Sequence, residues 1–341
     1  MKVAIIGCGF MGFTHAAAYQ AMANVELVGM CGMRERDRMR VVERGIPYFD
    51  TLEQMISEAK PEVINICLPT HLHKEMTVKA ASAGIHVICE KPMAGNLADA
   101  KEMIQVCKRN KVKLFIAHVL RFFPSYQNMT AHVRQGEIGD LGVINTRRVV
   151  AHPGKEPGSW YNDDAKSGGV VMDLMIHDTD FVSSLLGEAD TVYAMKRKTA
   201  EKQYALVTIK FTNGTLANLE ALWGYAGPLT YSCRISGKKG VIRFNSESSS
   251  SIRMIKDVEK EKVSGADSGS AAEAVRLQSP LLRDPYQTQL EHFIACIKDG
   301  TEPVISEYDA YNALLLSLAA NHSAEIGQPV KLSTFATGGE V

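Results

Sequence analysis

The sequence predicts an α/β protein: an N-terminal doubly wound parallel sheet, followed by an α+β domain with a large, mostly antiparallel open sheet. Over the first 120 residues, short apolar runs such as KVAIIG and VINICLP alternate with helical patterns, as in the βαβ units of a parallel sheet. From about residue 140, alternation and turn signals such as Asn213-Gly214 and Lys239-Gly240 are typical of consecutive antiparallel strands. We therefore expect domains of residues 1–120 and 121–341.

The second predicted domain contains three helices besides its strands. The first runs from Gly168 to Leu186, and two more close the chain around Tyr286–Lys298 and Glu307–Ile326. We expect the C-terminal helix to pack back on the first domain. The polar segment 262–274, KVSGADSGSAAEA, predicts a mobile loop.

The composition indicates a small-molecule partner. Charged residues make up 22% of the 341 residues and the net charge is zero, so no electrostatic footprint for nucleic acid or an anionic membrane is expected. No segment approaches the roughly 20 apolar residues of a membrane helix, and MKVAIIGCG has no signal-peptide cleavage site. The seven cysteines form no C-x-x-C pair. These features predict a cytoplasmic protein with reduced thiols.

The stretch GCGFMG places Gly7, Gly9 and Gly12 in the G-x-G-x-x-G spacing, with Phe10 and Met11 between them. It follows the strand pattern VAII and opens a helical run, which is the context that a dinucleotide-binding loop requires. The glycines allow a tight turn, close approach of a pyrophosphate and close helix packing. A glycine-rich turn without a ligand is the weaker interpretation. The first domain is thus predicted to be a Rossmann domain that binds NAD(P).

The residues after the second strand favour NADP(H) over NAD(H). An acidic residue that holds the adenosine ribose is expected about 20 positions after the glycine loop. Gly32 stands there instead, and it is followed by Met33 and by three arginines, Arg34, Arg36 and Arg38. An arginine without a competing carboxylate suits a ribose 2′-phosphate. Alternatively, the arginines interleave with Glu35 and Asp37 as the solvated start of a helix.

The apolar run HVIC ends in Glu90, Lys91 and Pro92. Ligands bind at the carboxyl ends of the strands in such a sheet, so Lys91 is expected to face the nicotinamide half of the cleft. There it can donate to a substrate oxygen and stabilise developing negative charge. The alternative is an ordinary ion pair between Lys91 and Glu90.

The stretch SGGVVMDLMIHDTD places Asp173 and His177 four residues apart on the predicted helix, with Asp180 on roughly the same side. A histidine there can move the proton that accompanies hydride transfer, while a carboxylate orients it or binds the substrate. Gly168 and Gly169 would allow close approach of a ligand. On the helix alone, a hydrogen-bonded Asp–His pair without chemistry is an equal alternative.

In combination, G-x-G-x-x-G, E-K-P and G-G-x-x-x-D-x-x-x-H resemble the glucose–fructose oxidoreductase/inositol dehydrogenase (Gfo/Idh/MocA) family, over essentially the whole chain. The resemblance implies that Lys91 contacts substrate and nicotinamide, and that Asp173 and His177 complete the catalytic set with His177 as acid/base. Gly32 departs from many NAD-using relatives, which have an acid there. The resemblance implies further cofactor contacts in LPTHLH, in E-K-P and in the segment between the domains: Leu68, Pro69, Thr70, His73, Glu90 and Arg121, the last followed by Pro124.

A loop before the predicted helix supplies three further candidate substrate contacts, His152, Trp160 and Tyr161. Trp160 and Tyr161 could stack on a sugar, or equally could cover a domain edge. His71-x-His73 lacks a third ligand, so no metal site is predicted.

These features predict an NAD(P)-dependent oxidoreductase that acts on a sugar, a polyol or a related cyclic alcohol or ketone. One alternative is an NAD-dependent glycoside hydrolase that oxidises its substrate transiently, without net redox change. Another is a non-catalytic NAD(P)-binding sensor, which the complete Lys–Asp–His set disfavours. In the family that the chain resembles, a second subunit covers the open sheet, so we expect a homodimer or homotetramer.

Overall fold

The computed structural model describes residues 1–32, 34–247, 252–256, 273–277 and 284–337. The chain divides into two compact units, and each combines segments that are distant in sequence. The first unit contains Met1–Phe122, Gly158–Asp173 and Arg283–Leu314, and the second contains Phe123–Pro157, Leu174–Leu282 and Leu315–Val341. In the part of the chain described, no helix is both long enough and apolar enough to cross a membrane.

Strands and helices alternate through the first unit, and strands dominate the second. The strands are β1 (Lys2–Ile6), β2 (Glu26–Cys31), β3 (Tyr48–Phe49), β4 (Val63–Ile66), β5 (His86–Glu90), β6 (Leu114–Ala117), β7 (Leu141–Val150), β8 (Ala189–Lys198), β9 (Gln203–Phe211), β10 (Leu216–Trp223), β11 (Thr230–Gly237), β12 (Gly240–Asn245), β13 (Ile252–Lys256), β14 (Glu273–Leu277) and β15 (Val330–Lys331). The α-helices are α1 (Phe10–Gln20), α2 (Glu35–Val42), α3 (Leu52–Ala59), α4 (His73–Ser82), α5 (Leu97–Arg109), α6 (Pro124–Arg134), α7 (Asp164–Ser167), α8 (Ile176–Leu186), α9 (Pro285–Asp299), α10 (Glu307–Ile326) and α11 (Leu332–Phe335).

The first unit is built on a six-stranded parallel sheet with the strand order β3-β2-β1-β4-β5-β6. Its central strands are mostly apolar, and every residue of β4 is buried, as expected for a sheet with helices on both faces. The strand order reverses between β1 and β4. In such a sheet the crevice at this switch point, at the carboxyl ends of the strands, is where ligands bind. The predicted Rossmann architecture is confirmed.

Helix α9 belongs to the core of this first unit although it lies far along the chain. It packs against α1, and its Leu290, Phe293 and Ile294 are buried in the same apolar cluster as Val3 and Ile5 of β1. The ring of Phe293 stacks on Phe115 of β6 with a centroid distance of 4.8 Å. This C-terminal segment therefore covers part of the parallel sheet.

The second unit contains a nine-stranded mixed sheet with the order β14-β13-β12-β11-β7-β10-β9-β8-β15. Strands β7 and β10 pair parallel, and the other pairings among its described strands are antiparallel. Buried and exposed residues alternate along β9, so one face of the sheet is apolar and packed. The predicted open, mostly antiparallel sheet is confirmed.

A buried ion pair fastens α8 to this sheet. Arg148 of β7 donates from Nε to Oδ2 of Asp178 at 2.7 Å and from Nη2 to Oδ1 at 3.1 Å. The same guanidinium donates to the hydroxyl of Tyr126 at 3.2 Å. Both charged residues are at most 5% exposed, and a buried charge is tolerated only when it is paired and hydrogen-bonded.

The predicted helix from Gly168 to Leu186 is confirmed as a helical run over residues 169–186, but its first half is not a regular α-helix. Gly168 and Gly169 have φ values of +70° and +67°, in the left-handed region that an α-helix cannot contain. A π-helical turn follows at Val171–Met175, and α8 begins only at Ile176. Single π-helical turns are frequent at functional sites.

The predicted loop at 262–274 lies outside the described residues except for its last two. Glu273 and Ala274 begin β14, so the sequence pattern missed this strand. The two closing helices are found close to their expected bounds, as α9 and α10.

Candidate active site

The glycine loop connects β1 to α1 and lies beside the end of β4. Gly7 has a φ of +111°, and its amide donates to the carbonyl of Cys31 at 2.8 Å. A Cβ added to Gly7 would overlap the carbonyl oxygen of Cys67, and one added to Gly12 would overlap the carbonyl oxygen of Gly7. Only glycine fits these two positions, because the main chain of the loop passes against its neighbours.

Gly9 differs from the other two glycines because it faces open space. Apart from Gly9 itself, its two chain neighbours and the adjoining helix backbone, no atom of the described residues lies within 4 Å of a Cβ built on Gly9. Gly9 is the N-cap of α1 and provides no side-chain cap, and the first amides of a helix have no acceptor within the helix. An anion at this position would meet these N–H groups and the positive end of the helix dipole. The loop thus fits the pyrophosphate of a dinucleotide.

Two glycine variants separate the loop's structural and binding roles. We expect Gly7→Ala to lower the free energy of unfolding by at least ~1 kcal/mol, because alanine is strained at positive φ. Gly9→Ala should unfold like the wild type but bind NAD(P)H roughly tenfold more weakly, a loss of about 1.4 kcal/mol. Chemical denaturation and calorimetric titration measure the two effects. Unchanged nucleotide binding by Gly9→Ala would show that the open space is not the pyrophosphate site.

The structure gives two of the three arginines after β2 specific partners. The Arg34 side chain is 51% exposed and makes two hydrogen bonds to the carboxylate of Asp37. Arg38 hydrogen-bonds Asp50, and its guanidinium lies 4.7 Å from the ring centroid of Tyr48. Gly32 accepts a hydrogen bond from the Tyr48 hydroxyl at 3.1 Å. Met33 lies outside the described residues.

His73, the first residue of α4, lies between two predicted cofactor segments. Its Nε2 lies 2.8 Å from the carbonyl oxygen of Leu68, and its Nδ1 lies 2.9 Å from that of Pro92. The ring is fully buried, and this burial lowers the pKa of His73. Thr70 is also buried, whereas Leu68 and Pro69 are partly exposed. Neutral His73 has a single N–H, so it donates to one of these two carbonyls while its ring packs between the segments that follow β4 and β5.

Glu90 ends β5 and takes part in a buried network that sequence reasoning missed. Its Oε1 lies 3.3 Å from Nε2 of His15, and its Oε2 accepts the amide of Lys91 at 3.2 Å. The other ring nitrogen of His15 lies 2.8 Å from Oδ1 of Asn65. Burial opposes ionisation of Glu90, but His15, with smaller contributions from Lys91 and His73, keeps the pKa of Glu90 below its usual value. The available signal was a histidine on the buried face of α1, because such a residue needs a partner.

Lys91 points at Asp173. Its Nζ donates to the main-chain carbonyl of Asp173 at 2.7 Å and to Oδ1 at 3.0 Å, and each side chain is 14% exposed. The Lys91 ammonium thus pairs with Asp173, and not with the Glu90 carboxylate as in the alternative interpretation. An ammonium has three donors, so one N–H remains for a further acceptor.

The segment that carries Trp160 and Tyr161 lies close to the pair of Lys91 and Asp173. The rings of Trp160 and Tyr161 have centroids 4.1 Å apart. Burial, with additional charge effects of Asp173 and Glu90, raises the pKa of Tyr161 well above its usual value. The first unit thus brings Tyr161, Lys91, Asp173 and Glu90 together.

The second unit carries two other predicted site residues, His152 and His177. His177 is the second residue of α8, which follows the π-helical turn directly. His152 accepts the amide of Gly154 through Nδ1 at 3.0 Å, and its ring packs on Trp223 with a centroid distance of 5.4 Å.

Arg121 is held by the start of α10 and the segment before it. Its Nη1 donates to the carbonyl of Val304 at 3.2 Å, and its Nη2 lies 3.5 Å from Oδ1 of Asp309. In the glycine loop, Phe10 is 81% exposed and Met11 is partly buried. A bound dinucleotide could contact the exposed Phe10 directly.

Comparisons with known proteins agree with this architecture. The model of an oxidoreductase family's NAD-binding Rossmann domain matches residues 1–118, and that of the same family's C-terminal α/β domain matches residues 131–332. Myo-inositol 2-dehydrogenase of Thermotoga maritima is 29% identical over 349 aligned positions, covering 97% of this chain and 98% of the relative. The 2,7-anhydro-N-acetylneuraminate hydratase of Escherichia coli is 32% identical over 218 positions, covering 60% and 58%. A structure of levoglucosan dehydrogenase with NADH and L-sorbose has the same fold, with a TM-score of 0.86, 22% identity, and 97% and 98% coverage.

Proposed function

Because the chain belongs to the Gfo/Idh/MocA family of oxidoreductases, we propose that it transfers hydride between a nicotinamide nucleotide and a sugar, a polyol or a related cyclic alcohol or ketone. The observation that carries this proposal is the contact between Lys91 and Asp173, which presents an ammonium at the carboxyl end of β5. Named relatives include a polyol dehydrogenase that aligns over nearly the whole chain, which supports this substrate class.

A bound nicotinamide supplies the hydride acceptor or donor. The glycine loop binds the pyrophosphate through the amides at the start of α1, and Gly9 leaves room for it. Lys91 uses its remaining N–H to donate to the substrate oxygen and stabilises negative charge there. Asp173 holds the ammonium in place. His177 takes the hydroxyl proton during oxidation and returns it during reduction.

We propose NADP(H) as the preferred nucleotide. Two observations support this preference: Gly32 offers no carboxylate after β2, and the guanidinium of Arg34 is about half exposed and rigidly held. Arg38 is engaged by Asp50 and Tyr48, so we assign it a secondary part. A planar guanidinium matches the geometry of a phosphate.

The open face of the large sheet supports a homo-oligomer. Exposed apolar residues lie on this face at Met195 of β8 and at its neighbour across the strands, Leu206 of β9. Leu216 of β10 is exposed as well, opposite Lys210. Apolar patches of this kind mark interfaces, and we propose that a second copy covers them in a homodimer or homotetramer. A cytoplasmic location remains our prediction.

The proposed function is tested by titrating the purified protein with NAD⁺, NADH, NADP⁺ and NADPH, then assaying a sugar and polyol panel with the preferred nucleotide. Net formation of reduced nucleotide with a member of the panel is the expected result. Release of a chromogenic aglycone without added cofactor and without net reduction would instead favour the hydrolase alternative. Nucleotide binding without turnover of any member would favour the sensor.

A further inference from the structure

Asp37 is an unusual residue in the nucleotide-binding half of the sheet. It lies in the first turn of α2, a helix that is mostly charged, yet only 2% of it is exposed. Burying a carboxylate costs free energy unless it is paired. Arg34 provides the pairing, because its Nε donates to Oδ2 at 3.0 Å and its Nη2 donates to Oδ1 at 3.1 Å.

The carboxyl-bearing side chain of Asp37 occupies the space next to Gly32. A Cβ added to Gly32 would lie 2.8 Å from Cβ of Asp37 and 2.9 Å from Sγ of Cys8, a residue of the glycine loop. After burial, Asp37 is the next cause that raises the pKa of the Cys8 thiol to about 12. Asp37 therefore lies beside both the glycine loop and the position at which an acid would normally bind the adenosine ribose.

Two roles are open to a carboxylate in this place. It could accept the ribose hydroxyls, as the missing acid at the end of β2 would, and so favour NAD(H). It could instead orient Arg34. Both oxygens of Asp37 already accept from the guanidinium, and this bidentate arrangement fixes the plane of the guanidinium. Arginine has five N–H donors, so the exposed part of Arg34 retains donors for another anion.

We propose that Asp37 is a positioning residue for cofactor choice: it holds the Arg34 guanidinium in the orientation that binds the 2′-phosphate of NADP(H). The inference rests on the proposed dinucleotide binding and adds the residue that makes Arg34 selective. It also explains Gly32, because any side chain there would displace Asp37. Arg34 without Asp37 keeps its charge but loses its fixed geometry.

The test compares nucleotide affinities of the intact protein by calorimetric titration with NADPH and NADH. Asp37→Asn is expected to weaken NADPH binding about tenfold, equivalent to about 1.4 kcal/mol, with NADH binding changed by less than about twofold. Arg34→Lys keeps the charge but not the bidentate fork, so it should give the same selective loss, even if Asp37→Asn fails to fold. Arg109→Met, at the exposed end of α5, is the control for loss of an arginine charge alone. Its NADPH affinity should change by no more than about twofold.

Three outcomes would overturn the inference. Weaker NADH and tighter NADPH binding by Asp37→Asn would identify Asp37 as the ribose acceptor. Equal losses of affinity for NADPH and NADH would show that the pair of Arg34 and Asp37 has only a structural role. Unchanged affinities in both variants would show that the pair takes no part in nucleotide recognition. The inference fails separately from the proposed function in these cases, because the wild type still binds nucleotide. If the wild type binds neither nucleotide, both fail together.

Discussion

Replacing Lys91 with alanine is expected to lower turnover by at least ~10²-fold, the usual loss when acid–base assistance is removed. In the structure the ammonium of Lys91 donates twice to Asp173 and has one donor left for the substrate oxygen. Without it, negative charge that develops on that oxygen has no cation beside it. We expect a loss of at least similar size for His177→Ala, because the proton of the substrate hydroxyl then has no acceptor. Steady-state kinetics with the preferred nucleotide and substrate measure both effects.

A matched control is available at the opposite end of the parallel sheet. Lys113 precedes β6 and lies 3.4 Å from Glu302 in an exposed ion pair, so Lys113→Ala should retain wild-type turnover. Asp173→Asn keeps the side chain's size but not its charge, and we expect an intermediate loss. Near-wild-type turnover in both Lys91→Ala and His177→Ala would remove these residues from the catalytic set.

The largest expected effect on stability comes from breaking the buried pair of Arg148 and Asp178. Arg148→Met leaves the Asp178 carboxylate buried without its guanidinium, which typically costs about 3–5 kcal/mol. The adjacent residue provides the control. Arg147 also forms an ion pair, with Glu220 at 3.2 Å, but both side chains are about one third exposed. Such pairs contribute at most about 1 kcal/mol, so Arg147→Met should be close to the wild type in denaturant-induced unfolding.

The double variant Arg148→Met/Asp178→Leu distinguishes an unpaired charge from lost packing. It should recover part of the stability lost in Arg148→Met, because no buried carboxylate remains without a partner. Equal unfolding free energies for Arg148→Met and Arg147→Met would contradict the assigned burial. Since α8 carries His177, kinetic constants of the double variant also report whether the pair is needed to place that residue.

The alternating strands and helices of the first unit could be predicted, because each element follows from a local pattern of apolar residues. The alternation of apolar strands and helices indicates the parallel sheet, and G-x-G-x-x-G in its strand–helix context indicates the loop. The turn at Gly168 and Gly169 could not be predicted in this way. Glycine is compatible with helical and left-handed conformations alike, so the apolar run after it reads as one helix although its first turn is π-helical.

Site residues could be predicted where a single residue's type and position indicate its chemistry, as for Lys91, which directly follows the buried strand β5. Partners brought together by folding could not be inferred. His15 and Glu90 are 75 positions apart in the chain, and only the packing of α1 on the sheet makes them neighbours. In the sequence, Asp37 is one of several alternating charges. Its burial depends on Gly32 having no side chain. Arg121 matches a family motif, but its contacts with Val304 and Asp309 come from a distant segment.

The most direct test of hydride transfer follows the hydrogen at the carbinol carbon of the best substrate in the sugar and polyol panel. With that carbon deuterated, the released reduced nucleotide is expected to carry the deuterium at C4 of the nicotinamide, in an amount equal to the ketone formed. A reduced nucleotide without deuterium, or a product that forms with all the deuterium still on the carbohydrate and no net reduction, would contradict the proposed hydride transfer.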